Sequence, residues 1–462
     1  MPVFEYKSNY KLRVNQQCLS TLLIGLSFVA LLACSAPAKS PASLGVGANP
    51  DLPAPQQSLI PTVNIATAIG WPANTTPIAA TDLTVSSFTR DLDHPRWLYV
   101  LPNGDVLVAE TNAPAKPDDN KGIKAKIQGM VMKRAGAGVS SANQITILRD
   151  TNGDGIADVR SVLLKDLNAP FGMALVGNKL YVANSDAIMM FPYTNGDLQI
   201  SALGTKLVDL PAGLRNHHWT KNIIANADGS QLYVTIGSNS NVAENGLEAE
   251  TDRAAIWEVN LKTGEHRIFA SGLRNPNGLA WEPTSNKLWT VVNERDELGN
   301  DLVPDYLTSV QDGGFYGWPY SYYGQHVDER VKPQQPAMVA KAIVPDYALG
   351  AHTASLGLAS SFGTSLPERF SSGMFIGQHG SWNRKPFSGY QVIFVPFNDG
   401  KPLGLPLKVL TGFLSEEGKA YGRPVGVALD KRGALLVADD VGNIVWRVTA
   451  KTKKAVESSP SE

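Results

Sequence analysis

Apolar and polar positions alternate along this chain in short bursts, each introduced by a turn rich in Asn, Asp or Gly. The burst recurs as LPNGDVLVAE from Leu101, LVGNKLYVAN from Leu175, ANADGSQLYVTIG from Ala225 and EPTSNKLWTVVNE from Glu282. It returns as ERFSSGMFIGQHG from Glu368 and LDKRGALLVADD from Leu429. A period of two predicts strands, and the Asn/Gly and Asp/Gly turns suit hairpins. The central strands, near Leu107, Leu180, Leu232, Leu288, Phe375 and Leu435, lie about 50 to 90 residues apart. Periods near 3.6 are scarce after Pro61, so few helices are expected. Six copies of one strand phrase predict an all-β, six-bladed β-propeller, whose four-stranded sheets bury their faces against their neighbours around an axis. A β-sandwich is the alternative, but it has no need of six copies. The long intervals after Leu107 and Leu288 are expected to hold loop insertions.

The ends read differently. Lys7, Lys11 and Arg13 precede an apolar run over residues 22–33, which leads into Cys34. This is the pattern of a secretory signal. The run is short for a membrane span, which needs about twenty apolar residues. The sequence LLAC resembles a bacterial lipobox with Cys34 as the lipidated residue, and Ser35 resembles the sorting pattern for the outer membrane. An ordinary signal peptide with a chance cysteine is the alternative. The expected organisation is a lipoprotein signal peptide over 1–34, a flexible Pro/Ala/Ser-rich tether and lead-in over 35–84, the propeller over 85–449 and a disordered tail over 450–462. The expected location is the periplasmic side of a bacterial envelope, with a lipid anchor to the outer membrane.

Composition narrows the functions. Cys18 and Cys34 are the two cysteines, and the first lies in the segment expected to be removed, so no structural disulfide is available. There is no Cys-x-x-Cys-His, which excludes covalent haem and implies that electrons leave to a separate acceptor. A formal net charge of -1 gives no argument for nucleic acid.

Two segments carry the candidate chemistry. RNHHWTK from Arg215 offers an imidazole base, and SGLRNPNG from Ser271 offers a fixed cation, the pair needed to take a proton and a hydride from an alcohol. A histidine satisfied by backbone and an arginine paired with a carboxylate are the structural alternatives. Separately, Asp150, Asn152, Asp154 and Asp158 occupy positions 1, 3, 5 and 9 of an EF-hand-like loop with Gly155 at position 6. Ser161 stands where the bidentate Glu belongs, so the loop reads either as a structural Ca²⁺ site or as a solvated Asp/Gly hairpin.

DHPRWLYVLPNGDVLVAE from Asp93, SGLRNPNGLAWEP from Ser271, FYGWP from Phe315, HGSWNR from His379 and GRPVGVALDKRGALLVADD from Gly422 resemble, in order, the soluble quinoprotein sugar dehydrogenases of the sorbosone dehydrogenase-like branch. The resemblance implies a six-bladed propeller that binds pyrroloquinoline quinone (PQQ) and Ca²⁺ and oxidises the C1 hydroxyl of aldoses. It implies His218 as the base, with His217 as its competitor, and Arg274 with Asn275 against the quinone. Arg423 matches a cofactor-binding arginine, whereas Val425 replaces a second one. His379 and Arg384 fall where relatives carry a lysine, and Glu294 falls in the cofactor pocket. Arg295 and Asp296 stand where relatives have a Gly-Pro pair whose backbone oxygens hold the Ca²⁺, and Asp301 and Tyr316 lie in a further calcium region. Trp382 reads equally well as core packing. Expected partners are a sugar or alcohol substrate and a separate electron acceptor. A calcium-dependent lactonase, or a propeller that only binds, are the competing readings.

Overall fold

The computed structural model describes residues 38, 45–56, 62–114, 133–213 and 215–452. The signal segment with Cys34, and the tail from residue 453, lie outside the described residues.

Six antiparallel sheets form the propeller. Blade 1 is Pro95–Val100, Val106–Glu110, Gln144–Arg149 and Val159–Leu164, and blade 2 is Met173–Val176, Lys179–Ala183, Ala187–Pro192 and Thr205–Asp209. Blade 3 runs Ile223–Ala225, Gln231–Ile236, Ala255–Asn260 and His266–Ser271, with Gly314–Phe315 added in parallel at its edge. Blade 4 runs Pro276–Glu282, Lys287–Val292, Pro304–Ser309 and Tyr347–Ala351. Blade 5 is built from Ser355–Ser360, Gly373–Gln378, Gln391–Asn398 and Leu407–Thr411. Blade 6 takes Pro424–Leu429, Leu435–Asp439 and Ile444–Ala450 from the C-terminal end, and its fourth strand, Leu83–Thr89, from the N-terminal end. That exchange closes the ring and leaves no unpaired blade edge between the first and last strands.

Each of the six recurring sequence phrases supplies the second strand of one blade. These strands are deeply buried: Val106–Glu110 and Leu435–Asp439 are buried throughout. Both faces of an inner strand meet neighbouring blades, so the alternation of a half-buried strand gives way to a continuous apolar run. Phe375, Phe394 and Phe370 interlock in blade 5, and Trp446 and Trp289 are fully buried in blades 6 and 4. Burying one such large side chain contributes roughly 1.5–3 kcal/mol. The insertions fall where the long intervals put them, inside blade 1 between residues 111 and 143 and inside blade 4 between residues 310 and 346.

The lead-in corrects the expectation of a flexible tether. Val46–Gly47 pairs with the outer strand of blade 4, and Ile78–Ala79 with the outer strand of blade 5. Between them, the Asn64 amide bonds to the Trp382 carbonyl at 2.8 Å and the Ile69 amide to the Ala420 carbonyl at 2.8 Å. Trp71 then packs on Phe413, Tyr421 and Trp446, with its indole N–H on Asp439 at 2.6 Å. The Pro- and Ala-rich composition misleads here because docking rests on backbone bonds and one tryptophan. Ala450, likewise, completes the last strand of blade 6 and does not belong to the tail.

Candidate functional site

Antiparallel pairing decides where chemistry can collect. In blades 1, 4, 5 and 6, Pro95 sits opposite Glu110, Pro276 opposite Val292, Ser355 opposite Gln378 and Pro424 opposite Asp439. The start of each first strand and the end of each second strand therefore share one face of the ring. His218, Arg274, Asn275 and Arg423 precede first strands, while Glu294, Asp296, His379 and Arg384 follow second strands, so the topology gathers them on that face.

Blades 3 and 4 supply one group. His218 is half-buried and its Nδ1 lies 2.7 Å from the Ser238 carbonyl and 3.0 Å from the Ser238 hydroxyl. A carbonyl only accepts, so Nδ1 carries the proton and the basic lone pair is on Nε2. His217 is exposed and meets His218 edge to face at 4.7 Å. Gly237 lets the group assemble: a Cβ there would stand 2.5 Å from both Asn275 Oδ1 and His218 Cβ. Arg274 is buried and fully aimed by acceptors, with Nε on the Asn241 carbonyl at 3.1 Å, one terminal nitrogen on the Glu294 carbonyl at 2.7 Å and the other on Asn241 Oδ1 at 3.0 Å. Burial lowers its pKa, opposed by the Asp296 and Glu294 carboxylates. Asp296 lies 3.9 Å from Arg274, accepts from Asn383 at 2.6 Å and faces His352 at 3.6 Å. Burial works against charge on His352, but the Asp296 carboxylate outweighs it and raises the imidazole pKa.

Blades 5, 6 and 1 supply the other group. Asp440 accepts from Arg96 at 2.7 Å and His379 at 2.9 Å, with His94 at 3.6 Å. Burial opposes its charge, yet the three cationic or potentially cationic neighbours hold its carboxyl well below the usual range. His379 is pushed down to about 4 by burial, against the pull of Asp440. Arg423 is buried over the Tyr390 ring, 4.9 Å from its centroid. The Arg96 guanidinium also stands 6.0 Å from the ring of Trp219, the neighbour of His218, and so links the two groups.

Buried polar groups almost always find partners. Thirteen buried side-chain atoms among the described residues do not, and eight of them lie on this face: in His94, Arg96, Asn184, Asn275, Glu294, Asn383, Arg423 and Asp440. A group of this kind left without a partner costs about 1–3 kcal/mol, so water or a polar ligand is called for on this face.

The profile of the TrAA12-like family matches residues 77–306 and 325–451, which is most of the chain and every blade. This chain belongs to that family. Among its relatives is an uncharacterized protein of Borreliella burgdorferi, 28% identical over 375 residues that cover 79% of this chain and 94% of the relative. Among solved structures, a calcium structure of the Trichoderma reesei family AA12 enzyme covers 84% of this chain and 99% of its own, with a TM-score of 0.66 and 16% identity. The holo form of the PQQ domain of Coprinopsis cinerea pyranose dehydrogenase covers 83% of this chain and all of its own, with a TM-score of 0.65 and 18% identity. At these identities the two structures speak for the fold.

Not every expected residue of this TrAA12-like chain faces the shared site. The Arg384 guanidinium is taken up by the Asn300 and Pro386 carbonyls at 2.9 Å and by Asp301 at 3.0 Å, so it clamps a loop. Arg295 is fully buried against Glu294, Asp328 and the Pro319 and Ser321 carbonyls. The Tyr316 hydroxyl donates to the Ser309 carbonyl at 2.6 Å. The Asp296 carbonyl, expected as a calcium ligand, accepts from Arg330 at 2.9 Å and from Asn241 at 3.3 Å. A guanidinium and a divalent cation compete for such an oxygen. Among the described residues no group of three or more His, Cys, Asp or Glu side chains is arranged to hold a metal.

Asp150, Asn152, Asp154 and Asp158 lie in the hairpin between the third and fourth strands of blade 1, at the opposite face. Asp150 accepts the Gly153 and Gly155 amides at 2.7 and 2.9 Å, and Asp158 accepts from Thr151 at 2.7 Å. The sequence reading missed Asn241, whose side chain and carbonyl aim Arg274, and Arg253, which bonds Asn216 and the Ala212 carbonyl ahead of His218. The polar run Ser238-Asn239-Ser240-Asn241 after a second strand was the available signal.

Proposed function

We propose that this chain is a PQQ-dependent oxidoreductase acting on the C1 hydroxyl of an aldose or related sugar. The observation that supports it is the set of nitrogens on the face that carries His218 and Arg274: His94, Arg96 and Arg423 each keep a buried side-chain nitrogen without a partner, which an anionic, planar cofactor would satisfy. Bound there, PQQ supplies an ortho-quinone that accepts a hydride and three carboxylates for cations to hold. Arg423, Arg96, His94 and His379 would hold the carboxylates, with Asp440 setting the net charge of that cluster. Asn275 and Arg274 would face the quinone. Arg274 is already aimed by Asn241 and Glu294, so its charge needs no reorganisation when negative charge develops nearby.

His218 takes the hydroxyl proton at Nε2. Its Nδ1–H donates to the Ser238 carbonyl, which fixes the tautomer and supports the imidazolium that forms. Calcium has less support than PQQ, and no step is assigned to it. A lactonase would need an axial metal cluster of carboxylates, which the described residues do not form. With the proposal go a separate electron acceptor and a periplasmic location with a lipid anchor at Cys34.

The test is to incubate the purified protein with PQQ, with and without Ca²⁺, follow binding by absorbance and assay dye reduction with an aldose panel. Saturable binding and sugar-dependent dye reduction are expected. Absence of binding at micromolar PQQ overturns the proposal.

A further inference from the structure

His218 has an anionic partner one peptide further back. Its Nδ1–H donates to the Ser238 carbonyl at 2.7 Å, and the N–H at the other end of that same peptide group, on Asn239, donates to Glu250 Oε2 at 2.6 Å. Imidazole, peptide and carboxylate thus form one hydrogen-bonded row. A carboxylate pulling on the N–H drives the amide resonance toward a more negative oxygen, so the Ser238 carbonyl becomes a stronger acceptor for Nδ1–H. A base oriented by a third group recurs in proton transfer; here that group acts across a peptide bond.

Glu250 reaches in from behind the site. It ends a one-turn helix, Leu247–Glu250, in the loop between the second and third strands of blade 3, and it is 8% exposed. Burying a carboxylate is costly unless its oxygens find donors. Both find them in the 238–241 loop, where Oε2 takes the Asn239 amide and Oε1 the Ser240 hydroxyl. Burial pushes the carboxyl up, while those two bonds and the Arg253 guanidinium pull it back. Arg253 spends its own donors on Asn216 and on the Gly237 and Ala212 carbonyls, so the carboxylate stays with the loop.

The rest of the row is anchored independently of Glu250. The Ser238 amide donates to the Arg274 carbonyl at 2.7 Å, and buried Lys221 donates to the His218 and Trp219 carbonyls at 3.4 and 3.3 Å. Removing the carboxylate therefore leaves the His218 backbone held and frees the Ser238–Asn239 peptide to turn. Asn241, at the end of the same loop, aims Arg274, so turnover alone does not separate an effect on the base from one on the cation. The imidazole must be read directly.

We propose that Glu250 is a positioning residue for His218, holding through the Ser238–Asn239 peptide the tautomer that leaves Nε2 free to take the substrate proton. The inference rests on the sugar oxidoreductase reading for what Nε2 does, but the tautomer is read without cofactor. Long-range ¹H–¹⁵N spectra of the full chain labelled with ¹⁵N-histidine, without PQQ and at a pH where imidazole is neutral, would resolve its seven histidines. Loss in His218→Ala assigns the His218 signals. Wild type is expected to show His218 as a single Nδ1-protonated tautomer. Glu250→Ala should shift both His218 nitrogens toward the average of the two tautomers, and Glu250→Gln, which keeps an acceptor without the charge, should shift them less and in the same direction. With PQQ and sugar, turnover per bound PQQ should fall about 10–10²-fold in Glu250→Ala, with Glu250→Gln between, while KM and PQQ affinity stay within about twofold. Melting curves identify a variant that fails to fold, and Glu250→Gln then decides. Unmoved His218 signals in the folded variants, an Nε2-protonated His218 in wild type, or unchanged turnover per bound PQQ overturns the inference. The two readings fail separately. Shifted His218 signals in the variants of a chain that binds no PQQ sink the oxidoreductase alone, whereas PQQ binding and sugar oxidation with unmoved His218 signals sink the positioning role alone.

Discussion

The two faces of the propeller use the same residue types and treat them in opposite ways. On the face of the Asp150 hairpin, carboxylates accept nearby amides and guanidinium groups: Asp150 holds Gly153 and Gly155, Asp105 takes Arg149 at 2.7 Å, and Asp430 takes Arg447 at 2.7 Å. On the other face, Asn275, Glu294, Asn383, Arg423 and Asp440 are buried with an atom left over. Turn chemistry alone does not distinguish them. What differs is supply: each of these carboxylates has an amide or guanidinium of its own blade within reach, while the groups at the starts of first strands and the ends of second strands crowd together. Polar groups placed there are satisfied by one another or by a ligand.

Removing the base should separate the faces most sharply. His218→Ala is expected to lower sugar oxidation by about 10²–10⁴-fold, while PQQ affinity, read by absorbance titration, changes little. His217→Ala, on the exposed neighbour, should stay within a few-fold of wild type. If the two variants exchange these behaviours, the base is His217 and the Ser238 contact is structural.

Next in size is the charge cluster. Asp440 is buried and bonded to Arg96 and His379, so Asp440→Asn leaves the Arg96 guanidinium without its carboxylate and should cost about 3–5 kcal/mol in denaturant unfolding. A loss under 1 kcal/mol would mean that water already serves that group. The cluster also predicts a pH dependence. His379 titrates at about 4 in the folded chain, below the value of about 6.5 for a free imidazole, so the unfolded chain binds more protons between these values. Stability from keeping His379 neutral is therefore present above pH 6.5 and lost as pH falls toward 4. Asp439, raised to about 6 by burial, contributes with the opposite sign over much of that window. The clean readout is thus a difference: the melting temperature of His379→Gln should gain on wild type as pH falls from 6.5 to 4.

Much of this arrangement was legible in the chain. The six strand phrases mark six second strands because a strand buried on both faces must be apolar and short, a constraint local enough to read. Blade 6 was less legible: its fourth strand, Leu83–Thr89, lies more than 350 residues from Ile444–Ala450, and no local pattern records a partner so distant. In the site, His218, Arg274 and Arg423 stand beside strands in recognisable phrases. Arg384 stands in an equally recognisable phrase, yet its guanidinium is consumed by the Asn300 carbonyl and the Asp301 carboxylate, which only the fold brings near. Asn241 escaped for the converse reason, since a lone asparagine in a polar loop carries no mark of the arginine it aims.

A subtler break leaves every functional group in place. Gly237→Ala would put a methyl 2.5 Å from His218 Cβ and Asn275 Oδ1, and no positive φ complicates the substitution. The two side chains must part by about an ångström, a displacement that costs on the order of 10²-fold in rate when reacting groups are involved. Oxidation should fall by about 10–10²-fold, and because His218 Cβ is fixed next to the backbone the overpacking should also cost about 1–3 kcal/mol of stability. Unaltered kinetics would show that His218 and Asn275 do not act at one centre.

The smallest effect is expected at the opposite face. Asp150→Ala removes the acceptor for two hairpin amides, and by analogy with losing a helix cap it should cost about 0.5–2 kcal/mol. Turnover should not change, because the hairpin ends at Val159–Leu164 on the far side of blade 1 from His94 and Arg96. The same variant also addresses calcium. Both Asp150 oxygens already accept amides and Arg432 lies 3.5 Å away, so millimolar Ca²⁺ must displace these contacts to bind. Wild type is therefore expected to gain less than about 1 °C from Ca²⁺, by the linkage between ligand binding and stability. A gain of several degrees that disappears in Asp150→Ala would make the hairpin a calcium site, and the two faces would then differ in what satisfies their carboxylates, not in whether anything does.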